Sequence, residues 1–173
     1  PASGYALGDN ADDRAAAYPA RVYSTGDFAV QGGSYGTDYE YAADTPDTPD
    51  TPDTPDTPDT PGTLTVKTDA PLTISMKNGV TETTTDTIVT SVDGASVTLA
   101  GVNIDVSATN YAAAMSVEDG TLDLTLAEGT TSSLKSGELR AGLQNGENAL
   151  SISGSGSLEA QGGFAAAGIG GNA

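Results

Sequence analysis

"PLTIS" (residues 71–75) sets two apolar side chains on either side of a threonine, and the same apolar–hydroxyl–apolar triplet returns three more times. It reads "LTI" at 72–74, "VTL" at 97–99, "LTL" at 124–126 and "LSI" at 150–152, with starts 25, 27 and 26 residues apart. In a strand, successive side chains point to opposite faces, so each triplet sends two apolar groups one way and a hydroxyl the other. A unit that returns at near-constant length is the mark of a repeat architecture.

A second marker keeps the same beat. Asp93-Gly94, Asp119-Gly120 and Asn145-Gly146 lie 26 residues apart, and Asx-Gly pairs tolerate positive φ and make tight turns. Each period therefore has a sharp corner just before its apolar triplet. Between triplet and corner run further β-like stretches: "TDTIVTSV" (85–92), "NYAAAMSV" (110–117), "GELRAGLQ" (137–144) and "GGFAAAGIG" (162–170). Short strands with frequent turns also suit an up-and-down sandwich. Equivalent residues returning once per coil favour a solenoid, in which like stacks on like. The expected fold is all-β: a parallel β-solenoid (β-helix) of about four coils of 25–27 residues. Its interior is predicted to hold Leu72, Ile74, Val97, Leu99, Val102, Ile104, Leu124, Leu126, Leu150, Ile152 and Leu158. Ala112, Ala114, Ala141, Ala165 and Ala167 are expected along a narrow side.

Composition narrows the function. With 24 acidic against 6 basic residues the net charge is −18, and the excess persists once the six repeat aspartates described below are set aside. Such a surface repels phosphate backbones and anionic lipid, which argues against nucleic acid and membranes as partners. Cysteine and histidine are absent, which removes disulfides, the usual zinc sites and Cys–His or Ser–His catalysis. No run of about 18 apolar residues is present, so no membrane insertion is expected.

"GTLTVKTDAPLTIS" (62–75), "GASVTLAGVNID" (94–105), "LSISGSGSLEAQGG" (150–163) and "AAGIGG" (166–171) resemble the β-helical repeats of large secreted or wall-attached surface proteins of Gram-positive bacteria, some of them labelled carbohydrate-binding. "DFAVQGGSYGTDYEYA" (27–42) is similar to the lead-in that precedes such coils. The resemblance implies an extracellular location and a role in display, adhesion or glycan contact. It carries no set of functional residues.

Between lead-in and first coil lies "DTPDTPDTPDTPDTPDTP" (44–61), six identical tripeptides. Proline at every third position removes a donor and fixes φ, and the threonine before it is pushed to extended backbone. The segment is expected to be a polyproline-II rod, up to about 55 Å if fully stretched at ~3.1 Å per residue. With three residues per turn, Thr45, Thr48, Thr51, Thr54, Thr57 and Thr60 form one row and the aspartates another. Threonines followed by proline are the compositional mark of mucin-like O-glycosylation, so these six are the candidate glycosylation sites, with a bare charged spacer as the plainer reading. The position is that of an insertion between strands at 37–42 and 63–68, where a loop lengthens at little cost. The organisation expected is an arm or linker at 1–26, lead-in strands at 27–43, the insertion at 44–61 and the solenoid at 62–173.

Three further expectations concern sites and partners. Tyr5, Tyr18, Tyr23, Tyr35, Tyr39 and Tyr41 all precede the insertion, and they are expected to cap the solenoid end or offer a sugar-stacking surface. Calcium is the one cofactor for which a case exists, bridging adjacent corners through Asp93, Glu118 and Asp119, with solvated turns as the alternative. For catalysis, Asp86, Asp93, Asp105, Glu118, Asp119 and Glu138 are the available carboxylates and Lys135 and Arg140 the available bases. No pair has a spacing that forces convergence, so no catalytic residue is assigned. The sequence stops at "GIGGNA", where the next corner is due. An uncapped coil exposes unpaired backbone, which leads to the expectation of further sequence or a head-to-tail copy of the chain at that end.

Overall fold

The computed structural model describes residues 24–45, 60–80 and 82–171. They form strands and turns without a helix, stacked as a β-solenoid of about four coils. The lead-in supplies β1 (Phe28–Gln31) and β2 (Tyr39–Ala42). Each coil then visits three walls in turn. The first wall contains β3 (Thr63–Val66), β5 (Thr87–Thr90), β8 (Met115–Val117), β11 (Leu143–Gln144) and β14 (Ile169–Gly170). The second contains β4 (Leu72–Met76), β6 (Ala95–Ala100), β9 (Thr121–Leu126) and β12 (Ala149–Gly154). The third contains β7 (Asn103–Asp105), β10 (Thr131–Lys135) and β13 (Ser157–Gln161). From β3 onward every pairing between coils is parallel, which is what lets a Leu sit on the Val, Ile or Leu of the coil before.

The apolar triplets lie in the second wall. Leu72 pairs with Val97 and Val97 with Leu124, the steps that the spacing predicts. The next step differs. Leu150 pairs with Leu122, and Ile152 with Leu124, so the final "LSI" sits two residues earlier in register than a match to "LTL" implies. A two-residue slip keeps every side chain on its own face, which is why the interior assignment survives it. The Asx-Gly corners are as expected: Gly94, Gly120 and Gly146 all have positive φ. A Cβ on Gly120 would lie 2.4 Å from the Cα of Asp93, so one corner stacks directly on the next.

Leu72, Ile74, Val97, Leu99, Val102, Ile104, Leu124, Leu126, Ala114 and Ala141 are buried as predicted. To these the structure adds Phe28, Leu64, Val66, Ile88, Met115, Leu134 and Leu143 from lead-in and first and third walls. Two serines also lie inside. Ser132 Oγ accepts the backbone N–H of Val102 at 3.1 Å and Ser136 Oγ that of Ala114 at 2.8 Å, satisfying donors that the corners leave without a ladder partner. The last coil departs from expectation. Leu150 and Leu158 are only partly buried, and Ile152, Ala165 and Ala167 are exposed, because among the described residues no coil lies over their inward faces.

At the other end the direction of pairing reverses. β1 runs antiparallel to β4, with Val30 opposite Ile74, and β2 runs antiparallel to β3, with Tyr41 opposite Leu64. β2 and β3 are thus the two arms of a hairpin whose connection carries the DTP repeat. At its foot Thr45 and Thr60 exchange two backbone hydrogen bonds of 3.0 Å. Thr45 and Thr60 are exposed; Thr48, Thr51, Thr54 and Thr57 lie outside the described residues, as do Tyr5, Tyr18 and Tyr23.

Candidate functional site

The two ends of the stack differ in chemistry, and the difference locates the candidate site. Beneath the lead-in, Phe28 is fully buried and closes the core. Tyr39 and Tyr41 pack against the same cluster, and Tyr35 meets Tyr39 edge-to-face with ring centres 5.8 Å apart. Three of the tyrosines that precede the insertion therefore gather at the capped end.

A polar lock ties that cap to the first coil. The buried Asp86 carboxylate accepts the Asp27 N–H at 2.8 Å and the Tyr41 hydroxyl at 2.9 Å. Thr84 Oγ1 donates to Asp27 at 2.7 Å and accepts the Asp86 N–H at 3.0 Å. Lys77 Nζ donates to the Gly26 carbonyl at 2.8 Å. Gly26 and Gly62 make room for the lock, since a Cβ at either would overlap Asp86 and Tyr41. Burial, the hydrogen bond to Asp86 and the negative charges of Asp86, Asp44 and Asp27 push the Tyr41 phenol well above the ordinary tyrosine value. A raised folded value means that the stability held by this proton is fully present below about pH 10 and is lost as pH rises through the folded value. Urea midpoints of wild type and Tyr41→Phe, measured from about pH 8 to about pH 11, are expected to converge as pH rises. A constant gap would contradict the assignment.

Two other carboxylates singled out in the sequence have structural partners. Asp93 Oδ1 accepts both the N–H and the hydroxyl of Thr121 at 3.0 Å, pinning one corner to the next. Asp105 accepts from the Ser107 hydroxyl at 2.6 Å and lies 3.6 Å from Lys135 Nζ; Ser107 and the lysine hold its carboxyl below the usual range. Glu118 and Asp119 are exposed beside the Asp93 corner, and among the described residues no three acidic side chains gather to hold a metal. Glu138 is half-buried at a corner.

The opposite end is the candidate site. Side chains that would be core in any earlier coil face solvent there: Ile152 is 41% exposed and Ile169 44%, whereas Leu124 and Leu143, which they pair with, are buried. Phe164, at 78%, stands beside them. Among the described residues β12, β13 and β14 are the outermost strands of the three walls, so each presents an edge. An edge of this kind is a template for pairing with another strand. Phe164 and Ile169 fall in the β-like stretch 162–170 of the sequence, whose pattern alone gives no sign of their exposure. Comparison with protein-family models, curated proteins and solved structures finds no match to this chain.

Proposed function

We propose that this is a non-enzymatic, extracellular bacterial surface protein with a structural and adhesive role, whose solenoids stack end to end. The observation that supports the reading is the stack itself: among the described residues β12, β13 and β14 lie at one edge of the three walls, with Ile152 and Ile169 uncovered there. A second copy suits that face because its lead-in end offers strand edges in the same walls, β1 in the wall of β12 and β2 in the wall of β14. Stacking would continue two sheets and cover Ile152 and Ile169. The contact is head-to-tail and does not close, so it generates filaments. The DTP segment, which joins β2 to β3, would be displayed along the stack; its Thr-Pro pairs support O-glycosylation and hence an extracellular setting.

Sedimentation velocity and cryo-electron microscopy test the assembly. Wild type is expected to form concentration-dependent multimers with the repeat of the coil stack, and Ile152→Asp with Ile169→Asp to stay monomeric with unchanged circular dichroism. Monomeric wild type at every concentration would refute end-to-end stacking. Intact mass of protein from its native source tests the glycans: sugar masses on the DTP peptide support the reading, and an unmodified peptide leaves a bare spacer.

A further inference from the structure

A depression of about 280 Å³ lies on the outside of the first wall, between the foot of the DTP hairpin and the corner at Tyr111. Its floor is made by residues next to the buried stack Ile88, Met115 and Leu143, namely Thr87, Ser116 and Gln144, which alternation turns outward. Thr60 and Pro61 border it on one side, and Tyr111, Glu118 and Arg140 on the others.

The repeat itself marks this place as unusual. The pairing of Met115 with Leu143 and of Leu143 with Ile169 makes Tyr111, Leu139 and Ala165 equivalent, and all three hold the left-handed backbone with φ near 60°. The same register makes Arg140 equivalent to Ala112 and Ala166. An aromatic and a guanidinium thus stand where other coils use small or aliphatic side chains. They are tied together: Arg140 Nε donates to the Tyr111 carbonyl at 2.9 Å, while Tyr111 as a residue remains 58% exposed. Arg140 and Glu118 border the same depression without forming an ion pair. The Gln144 Oε1 is shielded from solvent and has no hydrogen-bond partner, an uncommon state for a polar atom.

We propose that this groove binds a neutral pyranoside, one or two rings of a glycan. The exposed aromatic face suits the C–H face of a sugar ring, while the guanidinium, carboxylate and amide supply both donors and acceptors to hydroxyls that themselves do both. The volume is close to the lower end of the roughly 300–1,000 Å³ typical of small-molecule sites, which limits the ligand to that size. Glu118 and the chain's charge of −18 disfavour an anionic ligand. The groove faces sideways, away from the solenoid ends, so the inference is independent of end-to-end stacking.

Saturation-transfer NMR with methyl glycosides of glucose, galactose, mannose and N-acetylglucosamine, and with their disaccharides, provides the test. Transfer to ring C–H protons of at least one neutral glycoside is expected, falling to baseline in Tyr111→Asn and in Glu118→Gln. Asparagine tolerates the left-handed backbone at 111, so the fold, monitored by circular dichroism, should be kept. Absence of transfer to every neutral glycoside overturns the proposal, as does transfer that persists in both variants or is confined to a glucuronide included as an anionic control. Because Ile152→Asp with Ile169→Asp leaves the groove untouched, it is expected to bind sugar as wild type does even where assembly is lost.

Discussion

Phe28→Ala is expected to lower the free energy of unfolding by about 3–5 kcal/mol, the range for removing a buried aromatic ring. Phe28 belongs to the lead-in and not to a coil, yet it is fully buried against the core of the first coil. If β1 were a dispensable tail on a self-sufficient solenoid, the change would stay within about 0.5 kcal/mol, as at an ordinary surface position. Urea denaturation followed by circular dichroism separates the two, with the midpoint moving down strongly at little change in slope. The size of the expected loss comes from geometry: without the ring, Ile74 and its neighbours at that end would border a cavity closed on the outside by β1.

Asp86→Ala is expected to cost about 3 kcal/mol. The carboxylate is buried and accepts two hydrogen bonds, and bonds to charged groups contribute about 1.5–3 kcal/mol each. Its loss would strand the Asp27 N–H and the Tyr41 hydroxyl beneath the two glycines. Asp86→Asn keeps one acceptor oxygen and the shape of the side chain, so it should recover part of the loss. Equal midpoints for the alanine variant and wild type would show that the lock contributes nothing. The double variant Phe28→Ala with Asp86→Ala should lose less than the sum of the singles, because both act through seating the same lead-in against the same coil.

The second wall could be read from the chain because "LTI", "VTL", "LTL" and "LSI" obey the two-residue alternation of a strand and the coil-length period together. The first wall was harder to read, since Leu64, Ile88, Met115 and Leu143 sit in stretches of different length and composition. There, burial is decided by stacking on a residue about one coil away and not by local pattern. The final register step shows the same limit: "LTL" matches "LSI" in type, but the chain between them places Leu150 on Leu122. Asp86 could be recognised as a candidate carboxylate but not as a lock, because its partners Asp27 and Tyr41 precede the DTP insertion and reach it only through antiparallel pairing. Tyr111 and Arg140 lie in stretches that read as β-like in the sequence but fall outside the strands. Their distinctiveness emerges only when the ladder aligns them with Ala165, Ala112 and Ala166.

The hairpin that carries the DTP segment also fixes how the molecule responds to force. Tension applied through the connection between β2 and β3 runs lengthwise along both strands, so the rungs that join β3 to β5, from Thr63 opposite Thr87 to Val66 opposite Thr90, are sheared together. Tension along the stacking axis instead pulls in line with the ladder bonds, and coils linked by single corners can peel one after another. The protein is therefore mechanically anisotropic: stiff against tension applied through the hairpin connection and weaker against being drawn apart along the coil axis.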